Sequence, residues 1–209
     1  MIFVNTHPEL VGKHALFSPS KYSWMNYDDD KLRQAYVNSF ATQIGTLVHS
    51  YAADKITFRQ PMEDNRSERN ALLLHLLKNK IPPKVIQLEK LFTNVLPYVN
   101  DAIGYKMTPE VLLYYSDLVY GWADTITFSR NTLRIHDLKT GDTPASMDQL
   151  MGYAGLFYLM HSKEAKLQKC KTELRIYQNN QVLIHTPSAY DIACVMDKAV
   201  HADMIVDEM

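Results

Sequence analysis

Between residues 28 and 100 the apolar side chains recur at helical spacing. Ile44, Leu47, Val48 and Tyr51 stand at i, i+3, i+4 and i+7, the pattern of a helix with one buried face. A second helix is expected over about 68–79, stopped by Pro82-Pro83. A third is expected over about 84–96, ending before Pro97, because proline lacks the amide that a helix interior needs. From Glu110 the periodicity changes. Segments 111–128 and 133–139 carry the β-branched and aromatic residues of strands, and the polar Ser129-Arg130-Asn131-Thr132 between them suits a hairpin turn. After a break at 141–144 a helix is expected over about 146–160. Segments 172–177 and 182–185 predict a second hairpin turning at Asn179-Asn180, and a helix capped by Ser188 closes the chain. This order implies an α/β fold, a central mixed β-sheet flanked by helices with an N-terminal helical part.

Length and charge narrow the picture. At 209 residues, with no repeat or low-complexity tract, the chain reads as a single domain over 1–209. Its helical part covers about 1–105, and the sheet with its helices about 106–209. A hydrophobic content of 46% is enough to close a core and excludes a disordered chain. Lys plus Arg number 22 against 23 for Asp plus Glu, which excludes a wholly basic nucleic-acid coat and leaves room for a local basic groove. Cys170 and Cys194 are too few for a four-thiolate zinc or iron–sulfur site and suggest a reduced compartment. No apolar run approaches the ~18 residues of a membrane span. His7-Pro8-Glu9 interrupts any signal-peptide core. A cytoplasmic protein without a membrane partner is the expectation.

The chemistry concentrates in Gly121-Trp122-Ala123-Asp124 and His136-Asp137-Leu138-Lys139-Thr140-Gly141. Strand alternation places Leu133, Ile135, Asp137 and Lys139 on one face, and Asp124 on the face of Ile126 and Phe128. With Arg130-Asn131 at the turn tip, Ser129 pairs with Thr132 and Asp137 falls opposite Asp124. Opposed carboxylates about 5 Å apart at Cβ repel each other. A bound cation reverses the sign, and such a pair makes a hard oxygen site suited to Mg²⁺ or Mn²⁺. Lys139 beside it can orient or deprotonate a water and stabilise developing charge. The same Asp137 and Lys139 also fit a surface ion pair worth under about 1 kcal/mol, and a one-residue slip would turn Asp124 to the other face. Lys163, Lys166, Lys169 and Lys171 form one basic cluster, and Arg59, Arg66 and Arg69 another, either able to meet phosphates. Tyr114, Tyr115, Tyr120 and Trp122 can stack on unpaired bases, although alternation should send at least half of them to the core.

Five motifs in order resemble the RecB-like, phage exonuclease branch of the PD-(D/E)xK nuclease superfamily. They are Phe17-Ser18-Pro19-Ser20-Lys21 with Trp24, Gly45-Thr46-Leu47-Val48-His49, Gly121-x-x-Asp124 with Asp137-x-Lys139-Thr140-Gly141, Gln149-x-x-x-Tyr153, and Leu174-Arg175-Ile176-Tyr177-Gln178. The resemblance implies a restriction-endonuclease-like core. It implies that His49, Asp124, Asp137 and the Leu138 carbonyl ligate Mg²⁺ or Mn²⁺, that Glu110 joins a second metal directly or through water, and that Lys139 positions the attacking water. Gln149 and Tyr153 would line the site, contacting DNA or buttressing the ligands. The implied activity is DNA phosphodiester hydrolysis by an exonuclease of phage or mobile-element recombination, replication or repair, in the host cytoplasm. No iron–sulfur cluster is expected. Without a phosphate-binding glycine loop, the chain would act alone, as a homo-oligomer or with a separate recombination partner. Other readings are a capping box of Ser146 with Gln149, a core role for Tyr153 beside Leu150, Leu156, Phe157 and Leu159, and a nucleic-acid-binding or regulatory protein that keeps the fold without hydrolysis.

Overall fold

The computed structural model describes residue 7 and residues 15–207; Pro8 and Glu9 lie outside the described residues. The chain divides into two compact units, 1–42 and 43–209. Within the first, a 3-10 segment, Pro19–Asn26, is capped by Ser18. The Trp24 indole donates to the Ser18 carbonyl at 3.0 Å, and the Phe17 and Trp24 rings lie 5.7 Å apart. The Phe17–Trp24 motif therefore closes on itself. Helix α1, Asp29–Asn38, starts where the Asp28 carboxylate accepts the Lys31 amide at 2.8 Å.

Three helices open the second unit. From Gln43 onward, α2 (Ala41–Thr57) buries Ile44, Val48, Tyr51, Ala52 and Ile56, with Leu47 half-buried at the rim. Helix α3 (Arg66–Lys78) is capped by Asn65, and past its C-cap Asn79 the left-handed φ of 64° at Lys80 turns the chain ahead of Pro82. Helix α4 (Leu88–Gly104) departs from the sequence expectation, since Pro97 lies inside it rather than after its end. Its buried stripe runs unbroken past the proline, from Leu91, Phe92 and Val95 to Tyr98, Val99 and Ala102. Burial of that stripe outweighs the ~3 kcal/mol that an interior proline costs.

Among the described residues five strands stand in chain order: β1 (Thr108–Tyr114), β2 (Tyr120–Ser129), β3 (Thr132–Leu138), β4 (Lys171–Gln178) and β5 (Gln181–His185). Only β3 and β4 run parallel, joined by a crossover through α5 (Asp148–Met160), and the other neighbours are antiparallel. The fold is thus α/β, a mixed sheet with helices against it. Helix α6 (Ala189–Asp207) packs on α5. Both expected two-residue turns form, with Arg130, Asn131, Asn179 and Asn180 all left-handed. The stretch 111–128 is a hairpin rather than one strand, because the Ser116 hydroxyl accepts the amides of Leu118 and Val119 and turns the chain there.

Adjacent residues on β3 show which helix covers which face. Ile135 joins the apolar core beneath α5, with Leu133, Leu174, Ile176, Leu150 and Phe157. His136 faces α4, where the Tyr105 ring meets it edge-on. On β2, Ile126 and Phe128 belong to the α5 side, yet so do Ala123 and Gly121, the latter directly under the Tyr153 ring. The inward alternation therefore slips by one at Asp124. Pairing runs from Pro109↔Thr125 to Val111↔Ala123, so Glu110 and Asp124 face each other as the unpaired position, and Glu110 carries a left-handed φ of 52°. The strict alternation expected along β2 is therefore broken between Ala123 and Ile126.

Behind the sheet, Tyr177 donates its hydroxyl proton to Asp101 Oδ2 at 2.6 Å, and Arg175 meets the same oxygen at 2.8 Å. With that proton committed, Tyr177 can only accept from His136 Nδ1 at 3.2 Å, which leaves His136 Nε2 buried and bare. Burial first, then the Arg175 and Arg134 cations, push the His136 pKa down to about 3. The unfolded chain therefore takes up a proton below about pH 6.5 that the fold refuses until about pH 3. Measured by urea unfolding, the stability difference between wild type and His136→Asn should move against the wild type by up to about 1.4 kcal/mol per pH unit across that window.

Candidate metal centre

Helix α2 approaches the sheet closely because Gly45 has no side chain. A Cβ there would lie 3.3 Å from Thr140 Oγ1, in the loop that follows β3. One helical turn on, His49 Nδ1 comes within 3.3 Å of Asp124 Oδ2. The Leu138 amide donates to the same oxygen at 2.9 Å. His49, Glu110 and Asp124 each offer one ligand atom, all within 4.8 Å of one another. They line a cleft of about 560 Å³ between α2 and the hairpin, with Trp122 on its wall. The left-handed turn at Glu110 accompanies this convergence, at a cost of about 1–3 kcal/mol.

Asp137 stands beside that trio rather than within it. Ladder pairing continues to Thr125↔His136, so Asp137 occupies the next register position, opposite Asp124, as the turn predicts. Its carboxylate is 3% exposed. Lys139 Nζ donates to Asp137 Oδ1 at 3.1 Å and to Gln149 Oε1 at 2.9 Å. Gln149 Nε2 in turn donates to the Tyr153 hydroxyl at 3.0 Å, and the Tyr153 ring covers Gly121. The Ser146–Gln149 capping box is absent because α5 starts at Asp148, which makes Gln149 the second helical residue, too early to reach back. Ser146 bonds Asp148 instead. Gln149 and Tyr153 thus act as a brace on Lys139.

The charges crowd. Burial, and then Asp124, raise the Glu110 pKa against a smaller lowering by His49. Burial and Asp124 likewise raise Asp137, against the pull of Lys139. At His49 burial is the largest single influence and works downward, but the Asp124 hydrogen bond and the carboxylates of Asp124, Asp137 and Glu110 together overcome it, and the ring is held above its ordinary value. Asp137 Oδ2 is buried without a hydrogen bond although the Lys139 ammonium lies 3.0 Å away. A set of carboxylates and one imidazole, crowded and incompletely paired, fits a hard divalent cation.

Two supporting residues received no role from the sequence, although Gln178 closes the Leu174–Gln178 motif. Asn94, buried in the apolar stripe of α4, donates to the Lys139 carbonyl at 3.2 Å and accepts the Asn180 amide at 2.8 Å. Gln178 donates to the Gly141 and Thr143 carbonyls, both at 2.8 Å, and accepts the Ala145 amide at 3.1 Å, fixing the loop after Lys139. A polar residue inside an apolar helical stripe is the signal that marks Asn94. Among the basic candidates, Arg69 is engaged by Asp64 and Glu89 and stacks on Phe92, which removes it from phosphate contact. Of the four aromatics, Tyr115 packs on the core while Tyr114, Tyr120 and Trp122 are exposed, so fewer than half are buried.

No protein-family model matches the sequence, and no curated protein is a significant match. Among solved structures, the crystal structure of SSO0001 aligns over 76% of this chain and 86% of its own, at 9% identity and a TM-score of 0.31. At that distance the likeness transfers neither fold nor chemistry. Among the described residues no helix is long and apolar enough to cross a membrane.

Two outcomes follow from the geometry. Mn²⁺ at about a hundredfold its dissociation constant should add about 2.7 kcal/mol of stability, or roughly 5–10 °C in melting temperature. Asp124→Ala should abolish that gain. It should also shrink as pH falls, since Glu110 and Asp137 hold protons more tightly than free carboxyls and the ion must displace them. Gly121→Ala would put a Cβ 2.8 Å from Tyr153 Cε1. Thermal denaturation should show a loss of about 1–3 kcal/mol as the Tyr153 brace is displaced.

Proposed function

We propose that the protein is a divalent-metal-dependent DNA nuclease with a restriction-endonuclease-like core, of the RecB-like branch of the PD-(D/E)xK superfamily. The observation that carries the reading is the gathering of Glu110, Asp124 and Asp137 from three neighbouring strands, with His49 against Asp124 and Lys139 braced beside Asp137. Mg²⁺ or Mn²⁺ bound there supplies charge to a scissile phosphate and lowers the pKa of a nearby water. His49, Glu110, Asp124 and Asp137 would hold the ion, with the Leu138 carbonyl as a further ligand by resemblance alone. Lys139 orients the attacking water for in-line displacement and stabilises charge building on the phosphate. Gln149 keeps the Lys139 ammonium from folding wholly onto Asp137, and Tyr153 fixes the Gln149 amide. The Leu138 amide keeps one Asp124 oxygen in place. By resemblance, the biology is an exonuclease acting on DNA ends in phage or mobile-element recombination, replication or repair, in the cytoplasm, with a homo-oligomer or separate partner behind it.

The test uses linear and circular DNA with Mg²⁺, Mn²⁺ or EDTA. Wild type should degrade linear DNA alone and only with metal, and Lys139→Ala should lose at least about a hundredfold in rate. Wild type and variant equally inert, while both still bind metal and DNA, would replace the nuclease with a binding or regulatory protein of the same fold.

A further inference from the structure

The slip at Glu110 and Asp124 has an effect beyond the acids. It turns the outer halves of β1 and β2 over, so that Leu112, Tyr114, Tyr120 and Trp122 face solvent while Leu113 and Ala123 go to the core. These four side chains form two adjacent cross-strand pairs, Leu112↔Trp122 and Tyr114↔Tyr120. Their exposures are 37%, 54%, 43% and 57% for Leu112, Trp122, Tyr114 and Tyr120. The two tyrosine rings stack at 6.4 Å with planes 29° apart. The ladder begins at the metal centre, since Trp122 is two residues before Asp124 and lines the same cleft as His49, Glu110 and Asp124.

We infer that this ladder is a stacking platform for unpaired DNA, seating two bases on the Trp122 and Tyr120 rungs and leading their strand into the metal centre. The inference rests on the nuclease reading for the identity of the polymer. Successive rungs of an antiparallel strand lie about 6.8 Å apart, twice the ~3.4 Å rise per nucleotide of a stacked strand. The platform therefore fits an extended strand whose bases have separated, and an intact duplex keeps its base faces buried in its own stack. Aromatic faces hold bases without regard to sequence. Acids set its length. Tyr114 donates to Asp117 Oδ1 at 2.8 Å, and Ser116 bonds Asp203, so phosphates are repelled just beyond the second rung. At the inner end Glu110 and Asp124 repel phosphate until a cation neutralises them. A second copy of the chain is the poorer occupant, because even with the exposed Leu118 of the same hairpin and Met160 beside Tyr114 this face falls far short of the roughly 20 residues a side of a stable interface.

Labelled oligothymidylate and a blunt duplex, titrated with Mg²⁺ in a Lys139→Ala background that suppresses hydrolysis and read by anisotropy, test the platform. Trp122→Ala and Tyr120→Ala should each weaken single-strand binding about tenfold or more. Trp122→Phe should stay near wild type, and duplex binding should hardly change. Because the protein has two tryptophans, Trp24→Phe isolates Trp122, whose fluorescence should be quenched by the oligothymidylate. Unchanged single-strand affinity in both alanine variants, or equal losses for duplex and single strand, would overturn the platform. So would a dimer that Trp122→Ala dissociates without loss of DNA binding. A wild type inert with metal that still shows the quench and the variant effects keeps the platform and removes the nuclease. Metal-dependent hydrolysis with unaltered binding in the variants does the reverse.

Discussion

Like charge at close range is the constraint around which this site is arranged. Two carboxylates about 5 Å apart at an effective dielectric of about 20 repel by about 3 kcal/mol, and here three strands each deliver one. The surrounding donors answer part of that repulsion: His49 and the Leu138 amide at Asp124, and Lys139 at Asp137. Among the described residues Glu110 has no such donor, and it is also held in a left-handed backbone conformation. The fold spends stability at this point, and a divalent cation bound as proposed would return it.

What keeps the arrangement rigid lies behind it. Asn94 ties the Lys139 backbone to α4 and at the same time to the turn at Asn180, while Gln178 holds three backbone groups of the loop beyond. Lys90, also on α4, pairs with Asp142 in that loop. The Lys139 side chain is thus braced from α5 and its main chain from α4, on opposite faces of the sheet. The brace from α5 depends on Gly121, and the approach of α2 depends on Gly45.

Features encoded locally were legible in the sequence. Arg130-Asn131 and Asn179-Asn180 are two-residue turns set by their own chemistry, and the first of them fixed the register that opposes Asp124 to Asp137. Helix α2 was legible from its apolar spacing. What escaped depends on residues distant in the chain. Pro97 looks like a helix end until the stripe on both sides of it is seen packed on the sheet. The slip at Glu110 and Asp124 leaves no local mark, because each strand contributes one irregular residue and the pairing count is preserved. Gln149 fits both a capping box and a place at the site in sequence, and the start of α5 at Asp148 excludes the box. Asn94 and Gln178 act on backbone groups distant in the chain, and the motif that contains Gln178 does not name its partners.

The contact between Gly121 and Tyr153 carries a consequence for descent. A methyl group at one position and a phenol ring at the other cannot coexist in this geometry, and the ring is also the anchor of the Gln149 brace. The two sites therefore constitute one inherited character. In any lineage that keeps this fold, a side chain arising at Gly121 should be accompanied by a smaller residue at Tyr153 and by a new way of holding the lysine.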